Sequence, residues 1–276
     1  MVSVRELLHA AAARGDVEAR HEAEILLGHV LQRERAWLFT HADFVPDQAQ
    51  VDRYNELMKE RQRGEPIAYL VGHRGFWTLD LLVTPDVLVP RAETELLVEL
   101  ALARIPLGVG FRIADLGTGS GAIALAIAGD RPHARVLATD ASCAALAVAT
   151  ANAQRLGIDN VEFAEGDWCA ALGSRMFEMI VSNPPYIAAA DAHLAQGDLR
   201  FEPPAALASG VDGLDAIRKI IDAAPRHLAG GGWLLLEHGY HQGVAVRDLL
   251  EQHGFQATQT WQDLADHDRI SGGHRP

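Results

Sequence analysis

The sequence has few cysteines and no long apolar run. Its 276 residues include only Cys143 and Cys169, too few for a disulfide framework or a cysteine metal site. The apolar stretch Ala122–Ala128 is far shorter than the roughly 20 residues that cross a bilayer. Arg5 and Glu6 interrupt the apolar segment that a signal peptide would need. We therefore expect a cytoplasmic protein with no metal site and no membrane partner.

Basic residues are also scarce. The 24 Lys+Arg and 37 Asp+Glu give a net charge of −13, and only Lys59 and Lys219 are lysines. Residues 1–85 contribute −3 of this charge and the remainder −10. Proteins that neutralise the phosphates of duplex nucleic acid normally present a basic face. We expect no direct nucleic-acid partner, although a folded patch of scattered arginines is the alternative.

The first sixty residues have helical patterns. Ser3 and Glu6 form a capping box that begins one helix, because each side chain can bond the other's backbone amide. A second helix is predicted to begin near Asp16, and a third after Asp47. No cluster of chemically reactive side chains occurs here. Residues 1–66 are therefore predicted to form a small helical domain that docks the substrate or covers the site.

Residues 67–90 differ in pattern from the helical segment. Gly75-Phe76-Trp77 and Leu81-Leu82-Val83 predict the two strands of a β-hairpin, separated by Thr78-Leu79-Asp80. We interpret this segment as a connector that precedes a second domain at residues 91–276.

From residue 111 onward, strands and helices alternate. The predicted strands are 111–116, 134–139, 161–164, 179–182 and 233–237, and the predicted helices are 121–128 and 141–156. This order predicts an α/β fold with an open, mostly parallel, Rossmann-like sheet and helices on both faces. Phe255–Trp261 and a short piece near Arg269-Ile270 are predicted to add C-terminal strands.

A glycine-rich loop follows the first of these strands. It consists of Gly117, Thr118, Gly119, Ser120 and Gly121. Glycines let a backbone turn sharply and approach a ligand that a Cβ would block. The spacing is G-x-G-x-G, which differs from the G-x-G-x-x-G of dinucleotide sites. A purely structural tight turn is the alternative interpretation.

Acidic side chains follow the next two strands. Asp140 can accept both hydroxyls of a ribose, or it can simply cap the following helix. Asp167 and Trp168 suit an adenine, because a carboxylate can accept the exocyclic amine while an indole covers the ring. All these groups stand at carboxyl ends of strands, where open α/β sheets bind their ligands.

The strand at 179–182 leads into Asn183, Pro184, Pro185 and Tyr186. Two consecutive prolines remove two amide donors, so the carbonyl oxygens of this turn can accept hydrogen bonds from a ligand. Acceptors that hold both N–H bonds of an –NH2 group orient its lone pair toward an electrophile and stabilise the charge that develops. The segment contains no obvious general base or nucleophile. A structural proline turn is the alternative.

These motifs together resemble those of class I S-adenosyl-L-methionine (SAM)-dependent N-methyltransferases. Nearly the whole chain is similar to the bacterial glutamine methyltransferases of peptide chain release factors, including the stretches 89–95, 201–203 and 212–214. The resemblance implies a seven-stranded sheet whose last hairpin is antiparallel. It also implies methyl transfer to the side-chain nitrogen of the glutamine in a Gly-Gly-Gln motif, with S-adenosyl-L-homocysteine as product and no metal.

The resemblance also implies roles for individual residues. The loop from Gly117 to Gly121 would hold the methionine end of SAM, Asp140 its ribose, and Asp167 with Trp168 its adenine. Asn183, Pro184 and Tyr186 are the implied catalytic residues; with Pro185 they form the substrate site, and Asn183 also borders the cofactor. Arg91 would close over the site. Ala92 replaces a frequent second proline of the family, and Ser271-Gly272-Gly273 is expected to weaken the last strand.

Several other functions share some of these features. Asn-Pro-Pro-Tyr also occurs in adenine-N6 DNA methyltransferases and in glutamine methyltransferases of ribosomal proteins. The charge of −13 and the lack of a separate target-recognition domain disfavour DNA. A nicotinamide oxidoreductase would leave Asn183–Tyr186 unexplained, and a non-catalytic scaffold is a further possibility.

Overall fold

A computed structural model describes residues 2–12 and 17–276, and the chain divides into two compact units, Met1–Gly72 and His73–Pro276. The first unit is helical. Its helices are α1 (Val4–Ala12), α2 (Val17–Leu31), α3 (Arg35–Thr40), α4 (Gln48–Gln62) and α5 (Ile67–Val71). No helix in the described part of the chain is long and apolar enough to cross a bilayer.

Capping boxes begin two of these helices. The Ser3 amide donates to the Glu6 carboxylate at 2.8 Å, and the Asp47 side chain accepts from the Gln50 amide at 2.8 Å. The first and third predicted helices are therefore confirmed. The predicted start at Asp16 lies outside the described residues. The short helices α3 and α5 were not predicted, because five or six residues are too few to display a helical period.

The second unit begins with the predicted hairpin, formed by β1 (His73–Phe76) and β2 (Leu79–Leu82). Its turn differs from the prediction, because Trp77 adopts a φ of 55° and closes a two-residue turn. Leu79 therefore belongs to the second strand. The Asn152 side chain bonds both the amide and the carbonyl of Leu82, which fixes this hairpin beside the sheet.

The remaining strands form one sheet of seven. They are β3 (Arg112–Leu116), β4 (Arg135–Asp140), β5 (Val161–Glu165), β6 (Phe177–Ser182), β7 (Leu228–Glu237), β8 (Gln256–Gln262) and β9 (Asp268–His274). Their order is β5-β4-β3-β6-β7-β9-β8, and β9 alone runs antiparallel to both of its neighbours. The predicted mostly parallel, seven-stranded Rossmann-like sheet is confirmed.

Helices cover both faces of this sheet: α6 (Glu95–Leu102), α7 (Ala122–Asp130), α8 (Cys143–Leu156), α9 (Asp215–Ala223) and α10 (Gly243–Gln252). Alternate strand residues enter different cores, since Met179 and Val181 join one apolar cluster and Ile180 the other. Both cores lie within this unit, so the sheet is buried on its two faces. Helices α6, α9 and α10 were not predicted.

The expectation that Ser271-Gly272-Gly273 weakens the last strand is wrong. These residues lie inside β9, which pairs with β7 on one side and with β8 on the other. A Cβ on Gly272 would stand 2.5 Å from the Leu234 carbonyl oxygen, so the absence of a side chain permits the close approach of β7. Gly272 therefore allows β9 to lie between two strands, whereas a poorly paired strand was expected.

Candidate active site

The glycine-rich loop forms a tight turn after β3. Gly117, Gly119 and Gly121 have φ angles of 72°, 56° and 85°, which residues with a Cβ rarely adopt. The Thr139 carbonyl oxygen accepts from the amides of Gly117 and Thr118 at 2.8 and 2.9 Å. This loop is therefore held against the end of the neighbouring strand β4.

Asp140 joins the loop to the start of the next helix. One carboxylate oxygen accepts from the Gly119 amide and the other from the Ser142 amide, both at 2.9 Å. A carboxylate offers about four lone-pair sites, so two amides leave capacity for two hydroxyls. The geometry allows Asp140 to support the loop and to accept from a ligand at the same time.

Trp168 lies over the first glycine of the loop. A Cβ on Gly117 would stand only 3.2 Å from Cζ3 of the indole. Trp168 itself has a φ of 47°, an unusual conformation for a bulky residue and one that recurs at functional sites. Asp167 and Gly166 precede it, and all three line the same cavity as the loop.

This cavity has a volume of about 370 Å³, within the range of small-molecule sites. The glycine loop, Asp140, Asp167 and Trp168 form one part of its lining, and Asn183 and Pro185 form another. Among the described residues, neither Pro184 nor Tyr186 is part of the lining. Most of the residues selected from the sequence thus surround one space.

A buried carboxyl group lies under the loop. The Asp115 side chain is inaccessible to solvent, and one of its oxygens accepts from the Thr118 hydroxyl at 2.7 Å. Burial raises the pKa of Asp115 to about 7, opposed by the hydrogen bond from Thr118. The other oxygen has no hydrogen-bond partner within the described part of the chain.

Asn183 is oriented by a residue far away in the sequence. Its Nδ2 donates to the Thr94 hydroxyl at 3.1 Å, and both side chains line the cavity. No donor in residues 2–12 and 17–276 bonds the Asn183 side-chain oxygen, so this acceptor can receive a hydrogen bond from a ligand.

Tyr186 is directed away from the cavity. Its hydroxyl donates to Glu237 at 3.3 Å, and burial followed by the charge of Glu237 raises the pKa of Tyr186. Its carbonyl oxygen accepts from the Gln242 side chain at 3.0 Å. The expectation that the turn's carbonyls are free does not hold for Tyr186. The predicted packing of its ring against a substrate stays a prediction.

A salt bridge joins two segments of the cavity wall. Glu202 is buried, accepts from the Val89 amide at 3.0 Å and pairs with the Arg91 guanidinium. Arg91 lines the cavity, and Pro203, Ala205 and Ala206 line it beside Glu202. The structure thus places Arg91 at the cavity, as predicted, and supplies the buried carboxylate that holds it there.

Sequence reasoning missed Thr94, Glu202 and Glu237 as members of this site. Glu237 ends β7, so the rule that selected Asp140 at the end of a parallel strand would have selected it too. Thr94 lies in the stretch 89–95 that resembles the family, but no local pattern marks its hydroxyl as part of the site, because its partner Asn183 is 89 residues away. Within the described residues, no group of three or more His, Cys, Asp or Glu is arranged to hold a metal ion.

Comparison with known proteins identifies close relatives over the whole length. The PrmC N-terminal domain model matches residues 4–72, and the methyltransferase small domain model matches residues 92–264. A "Release factor glutamine methyltransferase" of Xylella fastidiosa strain 9a5c is 55% identical over 276 residues, covering 100% of this chain and 99% of that protein. A protein of the same name from Pseudomonas aeruginosa is 47% identical over 273 residues, 99% of each chain.

A solved structure supports the fold at lower identity. The T. thermophilus 16S rRNA N2 G1207 methyltransferase, in complex with AdoMet and guanosine, matches with a TM-score of 0.54 and 20% identity. The match covers 74% of this chain and 50% of that one. At this identity the likeness concerns the fold alone.

Proposed function

Because the chain belongs to the family of release factor glutamine methyltransferases, we propose that it transfers a methyl group from SAM to a glutamine side-chain nitrogen of peptide chain release factors. The target is the glutamine of their Gly-Gly-Gln motif. The observation that carries the proposal is the side-chain oxygen of Asn183, which stays open to a ligand beside a cavity suited to SAM because Nδ2 of the same amide donates to Thr94.

The residues of the cavity fit SAM. The glycine loop offers close backbone approach for the methionine end, the Asp140 carboxylate can accept both ribose hydroxyls, and the Trp168 indole can cover the adenine. SAM supplies, when bound, a methyl group made electrophilic by the adjacent sulfonium. Asp167 is proposed to accept from the adenine amine.

The chain's own part in the reaction is to position the amide. A glutamine nitrogen is a poor nucleophile, since its lone pair is delocalised into the carbonyl. The Asn183 oxygen and the Pro184 carbonyl are proposed to accept its two N–H bonds. Pro185 lines the cavity beside them, and Tyr186 is proposed to pack against the glutamine side chain. Acceptors fixed in this way lose little entropy on reaction and stabilise the positive charge that develops on nitrogen.

The substrate is proposed to be a protein. The residues 4–72 that match the PrmC N-terminal domain model support a docking role for the predicted helical domain at 1–66, with 67–90 as connector and 91–276 as the methyltransferase domain. The net charge of −13 opposes a nucleic-acid substrate. The cytoplasm, where release factors act, is the proposed location.

The proposal is tested by incubating the protein with labelled SAM and, in separate reactions, a release factor, a ribosomal protein and duplex DNA. Mass mapping should place the methyl group on the release-factor glutamine. Asn183→Ala should abolish turnover while the affinity for S-adenosyl-L-homocysteine stays within roughly tenfold, about 1.4 kcal/mol. Methylation of only the ribosomal protein or DNA, or substantial turnover by Asn183→Ala, would contradict the proposal.

A further inference from the structure

We propose that Thr94 and Glu237 are positioning residues that hold the Asn183 side-chain oxygen toward the cavity. The inference deepens the proposed function on which it rests, because it names the groups that prepare this oxygen to accept a substrate amide. Neither residue is assigned a direct contact with the reacting atoms. Their effect passes through the orientation of one planar amide.

Thr94 is buried beside the side-chain amide of Asn183. Its side chain is buried at 4% exposure, and its hydroxyl oxygen lies 3.1 Å from Nδ2 of Asn183. A carboxamide is planar, with its oxygen and nitrogen on opposite sides of the same carbon. Anchoring Nδ2 at Thr94 therefore directs the oxygen of Asn183 away from Thr94.

The Thr94 hydroxyl acts as the acceptor in its hydrogen bond with Asn183. The Thr94 hydroxyl lies close enough to the buried Glu237 carboxylate to lower its pKa, and Oε2 of this carboxylate has no hydrogen-bond partner within the described residues. A carboxylate can only accept hydrogen bonds. A hydroxyl has one hydrogen, so a Thr94 that donates to Glu237 can only accept from Asn183. The reversed amide would compete with Glu237 for that hydrogen, and it would present an –NH2 group to the substrate's own –NH2 group.

The pairing of β6 with β7 places Glu237 next to Asn183. Ser182 of β6 pairs with Leu236 of β7, so the residues that follow them, Asn183 and Glu237, stand side by side at the carboxyl ends of the two strands. Glu237 is 1% exposed and accepts from the Tyr186 hydroxyl at 3.3 Å. The Glu237 carboxylate therefore lies next to the segment Asn183–Tyr186.

The charge state of Glu237 supports this arrangement. Burial raises the pKa of Glu237 to about 7, while the hydroxyls of Thr94 and Tyr186 and the charge of Arg269 lower it and Glu93 raises it. At pH 8 the carboxylate form prevails, and both of its oxygens are acceptors. Activity is therefore measured at pH 8, where Glu237 is ionised and can accept from its neighbours.

The test compares Thr94→Val, which keeps the shape but lacks the hydroxyl, with Thr94→Ser, which retains it. Thr258→Val is the matched control, because the Thr258 hydroxyl donates to Glu251 at 2.7 Å outside the cavity. At pH 8 with saturating SAM, Thr94→Val should lower kcat about 10- to 100-fold with KM for the release factor within about twofold. Thr94→Ser and Thr258→Val should keep kcat within about threefold of wild type.

A second measurement needs no substrate. The chain has four asparagines, so ¹⁵N-asparagine labelling gives four side-chain amide signals, with Asn183 assigned by its loss in Asn183→Asp. Thr94→Val should accelerate hydrogen exchange of the Asn183 amide about tenfold. The signal of Asn152, which donates to Leu82 and Ser120, should stay unchanged.

The two measurements separate the two proposals. A wild-type enzyme that methylates no release factor would contradict the proposed function, while the exchange rate of Asn183 would still test its orientation. A Thr94→Val variant with wild-type kcat, or with unchanged exchange at Asn183, would overturn the positioning role. Equal losses in Thr94→Val and Thr94→Ser would overturn it too, because packing alone would then explain them.

Discussion

Gly213 offers a sharp test of how the Asn183–Tyr186 segment is supported. Its φ is +80°, and an added Cβ would stand 2.1 Å from the Tyr186 carbonyl oxygen and 2.8 Å from Nε2 of Gln242. Atoms cannot approach so closely, so Gly213→Ala must displace the Tyr186 backbone or the residue 213 backbone itself. The hydrogen bond from Gln242 to Tyr186 lies in the same place and would be disturbed as well.

The size of the effect follows from two contributions. A left-handed backbone disfavours alanine by about 1–2 kcal/mol, and overpacking at a rigid contact adds about 1–3 kcal/mol. Gly157 provides the matched control, because it has a φ of +67° and no described atom within 4 Å of its added Cβ. We expect Gly157→Ala to lower the free energy of unfolding by about 1–2 kcal/mol and Gly213→Ala by about 2–5 kcal/mol.

Urea unfolding followed by tryptophan fluorescence measures these differences. In a Trp37→Phe background the four remaining tryptophans all lie in the unit His73–Pro276, so the signal reports on that unit. The midpoints are compared at unchanged m. Gly213→Ala should also lower kcat for methyl transfer, whereas Gly157→Ala should not. Equal stability losses in both variants, together with full activity of Gly213→Ala, would refute the reasoning.

Two further predictions concern the acidic residues at the cavity. Asp140→Asn should weaken S-adenosyl-L-homocysteine binding by about 1.5–3 kcal/mol, or about 10- to 150-fold in Kd by calorimetry, because it removes a charged acceptor. An unchanged Kd would exclude a ribose contact. Burial raises the pKa of Asp115 from 3.8 to about 7, so the folded state keeps a proton that the unfolded state releases, and stability should fall as pH rises from about 4 to 7. Between these limits the free energy of unfolding of the wild type should fall by about 3 kcal/mol more than that of Asp115→Asn, measured by urea unfolding. Parallel pH profiles of the two proteins would contradict this assignment.

The strands of the sheet were predictable because parallel strands buried on both faces are apolar runs that end at glycine or acidic residues. All seven were predicted, with β9 only as a short piece, and most of their ends differ by one or two residues. The start of β7 differs by five residues, since Ala229 to Gly232 show no strand pattern and lie in a register shift between the pairs Phe177–Leu228 and Met179–Trp233. The prediction for Gly272 was wrong for a related reason: the missing side chain lets β7 approach closely, and this contact is formed only in the folded sheet.

The candidate site was predictable where its residues follow strands directly. Asp140 and Asn183 stand at the carboxyl ends of the parallel strands β4 and β6, which lie on either side of β3, so topology alone brings them to one edge of the sheet. Thr94 and Glu202 could not be predicted in the same way. Their partners Asn183 and Val89 are 89 and 113 residues away, and no spacing in the sequence encodes such a contact.

The fold class, the glycine loop and the acceptor-rich Asn183–Tyr186 turn follow from the amino-acid sequence alone, because each depends on local backbone chemistry and on the period of apolar residues. Contacts between distant segments set which way the Asn183 amide faces and which carbonyls of the turn remain open, and they explain why Ser271-Gly272-Gly273 can lie inside the sheet. These properties depend on atoms from distant segments meeting within about 3 Å. A hydrogen bond between segments far apart in the chain leaves no pattern in the sequence, unlike the local bonds of a capping box.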